Sequence, residues 1–246
     1  MKIVFIKPIL GTGGETLWML NTVSYLVKRG HEVIVLYSFA LSRQVVRNVL
    51  ENVGIGERML IKTPYIKIPT IGTPLTLFNT EMKRILVSSD IVYIHFAPPI
   101  DIALTLTKQF NFEKIRSPLI LGIHQNPFIG KLKMKLYREL MMPISVRTFS
   151  YYHVLNKYTF NALIDSFGIN KRKIFLIPNG VDTRTFQLCR NPLDSNSFNI
   201  LFTGRLTKEK GADTLIKIIW YVDEKFKLKD LKYTIAGSGS LEKQVR

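Results

Sequence analysis

The stretch Ile3-Val-Phe-Ile-Lys-Pro-Ile-Leu-Gly-Thr-Gly-Gly-Glu-Thr-Leu-Trp-Met-Leu-Asn-Thr-Val-Ser-Tyr-Leu-Val-Lys-Arg-Gly-His-Glu-Val-Ile-Val-Leu-Tyr37 decides the fold. Ile3 to Ile6 is apolar and rich in β-branched and aromatic side chains, which suits a buried strand. The turn Gly11-Thr-Gly-Gly14 follows. From Glu15 to Arg29, the residues Met19, Leu20, Val23, Leu26 and Val27 recur at helical spacing on one face. Lys28 and Arg29 put positive charge in the last turn and Gly30 supplies a C-terminal cap, both favourable at the negative end of the helix dipole. Val33 to Tyr37 reads as a second strand. Strand, helix and strand make a β-α-β unit, whose strands pair in parallel through a right-handed crossover.

Outward from this unit the alternation continues. Ser42 to Asn52 reads as a helix, and Pro64 to Pro74, with three prolines, as an extended connection. A helix is expected over Glu81 to Val87, and strands over Ile91 to His95, Leu119 to Ile123 and Val154 to Asn156. Thr159 to Phe167 reads as a helix capped by Gly168, followed by a strand over Lys173 to Ile177. Residues 187–198 are polar and contain Asn191-Pro192, the best linker signal in the chain. The expected organisation is a large N-terminal domain over 1–190, a linker over 191–198 and a second region over 199–246. The second region opens with a strand at Asn199 to Thr203 and has another at Lys232 to Ile235. The class is α/β with parallel sheets. In open parallel sheets ligands bind at the carboxyl ends of strands, so the turns after Ile6, His95, Ile123 and Phe202 are where function is sought.

The 246 residues carry 35 Lys and Arg against 18 Asp and Glu, a net charge of +17. That excess draws polyanions such as nucleic acid, anionic lipid or phosphorylated substrates, without choosing among them. The 46% hydrophobic content supports a packed core and argues against a disordered chain. The single cysteine, Cys189, permits no intramolecular disulfide and no C-x-x-C pair, which points to a reducing, cytoplasmic setting. No window approaches the roughly 20 apolar residues that cross a bilayer, so membrane contact is expected to be peripheral.

Four segments can carry chemistry. Gly13, Gly14 and Glu15 lie between a strand and a helix, where small residues admit a ligand to the backbone and a helix start receives an anion; a plain flexible turn is the competing reading. The segment fits neither the Walker loop nor G-x-G-x-x-G, since Leu17 stands at the third glycine position. His124 ends an apolar strand, and His95 ends another; each can donate to a substrate hydroxyl or move a proton, or can be a satisfied structural histidine. No H-E-x-x-H, H-x-H or D-x-D spacing supports a metal, so a metal-free mechanism is preferred. Lys131-Leu-Lys-Met-Lys-Leu-Tyr-Arg138 is basic and amphipathic, with Leu140 and Met141 extending its apolar side. It suits either an anionic membrane surface over residues 131–141 or packing on its own sheet. Asn199 to Ile218 joins a strand, Gly204, Arg205, Lys210 and a helix opening near Gly211, the parts of a phosphate grip. Ala236-Gly-Ser-Gly239 follows the last strand and adds Gly237 and Gly239.

In order along the chain, these pieces resemble glycosyltransferase family 4 of the GT-B superfamily. The resemblance rests on Gly13-Gly-Glu15, Arg29-Gly-His-Glu-Val33, Asp90-Ile-Val-Tyr-Ile-His95, His124, Ile177-Pro-Asn-Gly-Val-Asp182 with Phe186, Gly204-Arg-Leu with Lys210-Gly211, and Ala236-Gly-Ser-Gly239. It implies two Rossmann-like domains, the acceptor mainly on the first and the nucleotide-sugar donor mainly on the second. It also implies a hexosyltransferase that acts with retention of anomeric configuration, with no cofactor beyond the donor and no metal. Gly13, Gly14, Glu15, His95, Asn179, Gly204, Gly237 and Gly239 would then line donor or acceptor. His124 would touch the transferred sugar, Arg205 and Lys210 would neutralise the departing diphosphate, and Asn179 to Asp182 would lie at the crossing between domains.

Two departures from the family pattern stand out. Gly13-Gly-Glu15 is one residue shorter than Gly-Gly-Ala-Glu, and the later E-x7-E motif of the donor domain is not reached before Arg246. The expectation is an incomplete second Rossmann-like domain, in a fragment or in a chain completed by a second polypeptide. The acceptor would be a glycan or a lipid-linked molecule, met at the inner face of the membrane. An inactive acceptor- or membrane-binding module is the alternative. A specific nucleic-acid partner is not expected, because no nucleic-acid-binding module surrounds the basic residues.

Overall fold

The computed structural model describes residues 1–11, 13–40, 47, 56, 59–67, 74–77, 79–96, 115–124, 143, 148–184, 186–187, 198–227 and 230–245. The expected helix over Ser42 to Asn52, apart from Arg47, and the basic segment 131–141 lie outside these residues, as do positions 191–197 of the expected linker. Two compact units divide the chain, Met1–Val181 and Asp182–Arg246.

The first unit opens with β1 (Lys2–Ile6), β2 (Ile9–Leu10), α1 (Gly14–Lys28), β3 (Glu32–Tyr37) and β4 (Phe39–Ala40). Then come β5 (Leu60–Lys62), β6 (Tyr65–Lys67), β7 (Pro74–Thr76), α2 (Thr80–Val87), β8 (Ile91–His95) and β9 (Leu119–Ile123). It closes with β10 (Tyr151–Val154), α3 (Lys157–Phe167), a 3-10 turn at Lys171–Lys173 and β11 (Ile174–Leu176). Seven strands form one parallel sheet in the order β11-β10-β9-β8-β1-β3-β5. From β1 the chain runs outward through β3 and β5 and then returns to β8 on the other side. The β1/β8 seam is therefore the topological switch point where such sheets open a crevice.

The two faces of the sheet bury different clusters. Ile3, Phe5, Val33, Val35 and Tyr93 pack against Met19, Leu20 and Val23 of α1. Val4, Ile6, Val92, Ile94, Leu119, Leu121 and Ile123 pack on the other side with Met82 and Leu86 of α2 and Leu163 and Phe167 of α3. Burial on both faces is why the central strands read as continuous apolar runs rather than alternating ones. Side-chain caps start α2 at Thr80, one residue before the expected Glu81, and α3 at Lys157, two before the expected Thr159. Asn79 accepts from the Met82 backbone N–H at 3.0 Å, and Asn156 accepts from Thr159 at 2.9 Å.

Some expectations shift. The strand expected over Val154 to Asn156 runs instead over Tyr151–Val154, because Asn156 is committed to capping α3. The extended Pro64 to Pro74 connection contains an antiparallel pair, with Tyr65 opposite Thr76 and Lys67 opposite Pro74.

The second unit contains β12 (Phe198–Thr203), a 3-10 turn at Lys208–Lys210, α4 (Ala212–Phe226), β13 (Leu231–Ala236) and the short α5 (Glu242–Val245). The strands β12 and β13 pair in parallel from Phe198 with Leu231 to Thr203 with Ala236. A small core of Leu206, Ala212 and Leu241 gathers Phe202, Ile235 and Val245. Phe198, Leu201 and Trp220 remain largely exposed.

Candidate functional site

At the carboxyl ends of the central strands of the first unit, register brings three histidines together. His95 lies opposite Gly122 in the β8–β9 pair, and Gly122 lies opposite His153 in the β9–β10 pair. Residues matched in a parallel sheet point to the same face, so His95 and His153 flank a position that has no side chain. His124 follows two residues after Gly122, one step past β9. Tyr93, two residues before His95 and on the same face, extends its ring over Gly122. A Cβ at Gly122 would overlap the Tyr93 hydroxyl, so glycine is required there by close approach rather than by backbone angle.

Trp18 of α1 covers this group. Its ring centroid is 4.4 Å from His124, 5.4 Å from His95 and from His153, and 5.5 Å from Tyr93. Beneath it the Tyr93 hydroxyl is 3.0 Å from His124 Nε2 and 2.7 Å from His153 Nδ1. His124 Nε2 is 3.3 Å from His153 Nδ1, and His153 Nε2 is 2.8 Å from the carbonyl oxygen of Ile177. Among the described residues His95 Nε2 and His124 Nδ1 are buried without a hydrogen-bond partner.

Burial sets the protonation of the cluster. It disfavours the imidazolium of His124, and the neighbouring His153 and Lys7 push the same way, bringing its pKa to about 3. His95 is held well below its usual range, by burial first and then by Lys7, His124 and His153. Burial also lowers His153, partly offset by its bond to Ile177, while burial and Glu15 hold the Tyr93 phenol protonated. All three imidazoles are thus neutral at physiological pH. Among the described residues no group of three His, Cys, Asp or Glu side chains is placed to hold a metal ion.

The glycine loop lies between β2 and α1. Gly13 is the N-cap of α1 without a side-chain cap, and open space surrounds the Cβ positions of Gly13 and Gly14 among the described residues. Glu15 is committed within the fold: its carboxylate pairs with the buried Lys7 ammonium at 3.2 Å. Asn179 is exposed in the segment after β11.

In the second unit the loops after β12 and β13 interlock through their backbones. Gly204 N–H donates to Ala236 at 3.0 Å, and Leu206 N–H donates to Ser238 at 2.9 Å. A Cβ on Gly237 would overlap the Gly204 carbonyl and one on Gly239 the Leu206 carbonyl, which explains both glycines. Arg205 is exposed and pairs with Glu209 at 3.4 Å; Lys210 is exposed and precedes Gly211, which turns at a φ of 77° into the uncapped start of α4. The structure thus gathers His95 with His124, and Gly204, Arg205, Gly237 and Gly239 around one pair of loops.

Sequence reading missed Tyr93, His153, Trp18, Gly122 and Lys7. A glycine inside the apolar run Leu119 to Ile123 was the available signal for a close approach. His153 lies in a strand that begins at Tyr151, three residues before the expected Val154.

A doubly wound parallel sheet with its site at the switch point, followed by a second β-α-β unit, is the GT-B type of architecture. The chain matches Glycosyltransferase Family 4 over residues 12–185 and belongs to that family. No curated protein matches its sequence. Solved structures that share the fold include the following three. HepE of Anabaena, in complex with UDP, has a TM-score of 0.68 at 17% identity, covering 99% of this chain and 63% of its own. TarM of S. aureus, solved with fondaparinux, α-GlcNAc-glycerol and UDP, has a TM-score of 0.58 at 12% identity, covering 99% and 73%. UDP-GlcNAc 2-epimerase of Neisseria meningitidis, bound to UDP-GlcNAc, has a TM-score of 0.55 at 16% identity, covering 100% and 68%. This chain therefore spans roughly two thirds of the length of those proteins, and at such identities the likeness concerns the fold.

Proposed function

We propose that the protein transfers a hexosyl group from a nucleotide-sugar donor to a hydroxyl of a glycan or lipid-linked acceptor, with retention of configuration and without a metal. The observation that carries this reading is the neutral, hydrogen-bonded His124 at the strand ends of a family 4 chain, packed under Trp18 of the helix that the glycine loop opens. A neutral imidazole can exchange hydrogen bonds with sugar hydroxyls without the cost of burying a charge. In the second unit Arg205, Lys210 and the start of α4, which has no side-chain cap, offer positive potential to a diphosphate. Binding that strengthens as negative charge develops on the leaving group accelerates its departure. The acceptor hydroxyl would then attack on the face that the diphosphate leaves, passing its proton to the departing diphosphate oxygen as the glycosidic bond forms and the bond from sugar to diphosphate breaks. The UDP held by HepE and by TarM, and the glycan-like molecules held by TarM, make UDP-sugars and glycans the first candidates for donor and acceptor. The net charge of +17 suits such anionic ligands and an anionic lipid surface.

The test is to incubate the purified chain with UDP-glucose or UDP-GlcNAc and a glycan acceptor, with and without chelator, and to follow UDP release and product anomer. Chelator-insensitive release that His124→Ala or Arg205→Ala reduces at least tenfold is expected. No UDP release by the chain alone or with added lysate of the source organism, together with no calorimetric binding of either donor to the pure chain, would refute the reading. A second polypeptide that completes the donor side would show itself by restoring activity when lysate of the source organism is added to the pure chain.

A further inference from the structure

We infer that Tyr93 and His153 are positioning residues that hold His124 protonated on Nε2, leaving its Nδ1 as a bare acceptor for a hydroxyl proton of the bound sugar. The identity of the ligand rests on the sugar-transfer reading above; the rest follows from hydrogen-bond geometry.

The direction of each bond follows by elimination. The Ile177 carbonyl can only accept, so His153 Nε2, 2.8 Å away, carries a proton and donates it. His153 is neutral, so its Nδ1 holds a lone pair and accepts. The Tyr93 hydroxyl lies 2.7 Å from that nitrogen and has a single proton, which therefore goes to His153. The phenol oxygen then presents only lone pairs to His124 Nε2 at 3.0 Å, so His124 Nε2 is the donor there. The 3.3 Å approach of His124 Nε2 to His153 Nδ1 has the same sense. Reversing the chain would set the Tyr93 oxygen against the His153 lone pair with no hydrogen between them. A neutral imidazole carries one N–H, so His124 Nδ1 is bare, and with His95 Nε2 it is one of two buried imidazole nitrogens that have no partner among the described residues.

Each link of the chain is itself fixed. The Ile177 N–H donates to the Val154 carbonyl at 3.0 Å, which holds the Ile177 peptide beside β10. Trp18 meets His124 edge-on at 74° and opposes ring rotation. Gly122 leaves the space that the Tyr93 hydroxyl fills. Among the described residues Lys7 and Glu15 are the charged groups facing the cluster, and they pair with each other at 3.2 Å. A donor hydroxyl placed on His124 Nδ1 would complete a bond that the fold leaves open, whereas an acceptor group there would meet a second lone pair. The site is in this way selective for hydroxyl donors over carbonyl or ether oxygens.

The protein has four histidines, so nitrogen-15 imidazole spectra of the labelled chain resolve each ring. At about pH 7 His124 and His153 are expected to be neutral and protonated on Nε2, with His31 as internal reference. Tyr93→Phe, with its circular dichroism unchanged, should produce a measurable Nδ1-protonated fraction of His124. A proton on His124 Nδ1 in the unaltered chain, or an unchanged His124 tautomer in a folded Tyr93→Phe variant, would overturn the inference. If that variant does not fold, the Tyr93 hydroxyl proton of the unaltered chain decides: contact with His153 Nδ1 supports the chain, and contact with His124 Nε2 as its acceptor overturns it. UDP-glucose should then shift the His124 Nδ1 resonance. If the tautomers are as expected and UDP-glucose moves no histidine, the sugar is overturned as occupant while the positioning chain stands.

Discussion

Acid should destabilise this protein through its buried histidines, and His124 permits the size of the effect to be worked out. In the unfolded chain an imidazole titrates near its ordinary value of about 6.5. In the folded protein burial, His153 and Lys7 bring His124 to about 3. A lowered pKa means that the unfolded state binds the extra proton between these values. Stability from this group is fully present above about pH 6.5 and is lost as pH falls toward 3. One pH unit of difference corresponds to about 1.4 kcal/mol, so two units, reached at about pH 4.5, correspond to about 2.7 kcal/mol. His124 is only partly buried, and solvent screening reduces this to roughly 1–2 kcal/mol. His95 and His153 act in the same direction. The assay is urea unfolding of the parent and His124→Gln, followed by circular dichroism at about pH 7.5 and about pH 4.5. Repulsion from the net charge of +17 weakens both proteins alike, so the comparison isolates the ring. The parent should lose roughly 1–2 kcal/mol more than the variant between the two pH values. Parallel losses, within about 0.3 kcal/mol, would refute the account of a buried neutral imidazole.

Other consequences follow from single contacts. Gly122→Ala forces a methyl group into the Tyr93 hydroxyl and should cost roughly 1–3 kcal/mol as overpacking, read as a lower urea midpoint, and should also alter the His124 imidazole resonances. Arg205→Ala removes one partner of an exposed ion pair with Glu209, so thermal stability should change by less than about 1 kcal/mol, while calorimetric affinity for UDP falls about tenfold. Gly237→Ala would place a methyl group against the Gly204 carbonyl. The second unit should then become more sensitive to limited proteolysis than the first, and equal cleavage of both would contradict the interlocked loops.

Much of the architecture was legible along the chain because its elements carry strong local signals. Ile91–His95 and Leu119–Ile123 are found at their expected bounds, since apolar strands buried on both faces announce themselves as uninterrupted runs. Gly168 marks the end of α3 by chemistry that acts within one turn, whereas Asn156, expected to end a strand, is the N-cap of α3. The pairing of Tyr65–Lys67 with Pro74–Thr76 was not legible, because three prolines suggested a plain connection and antiparallel pairing depends on what lies opposite in space. Within the site, His95 and His124 could be singled out as strand-end histidines, while Tyr93 looked like one more apolar strand residue.

What the sequence determined by itself was the class, parallel α/β units, together with the resemblance of its ordered motifs to family 4. The class follows from periodicity and turn chemistry, which are properties of neighbours along the chain, and the family from motifs matched in order. Only the tertiary structure decided that Glu15 is spent on Lys7, that Arg205 faces Glu209, and that His95, Gly122 and His153 stand side by side. Register between strands separated by tens of residues sets those meetings. The low-dielectric space under Trp18 then makes the histidines neutral and gives their hydrogen bonds a direction.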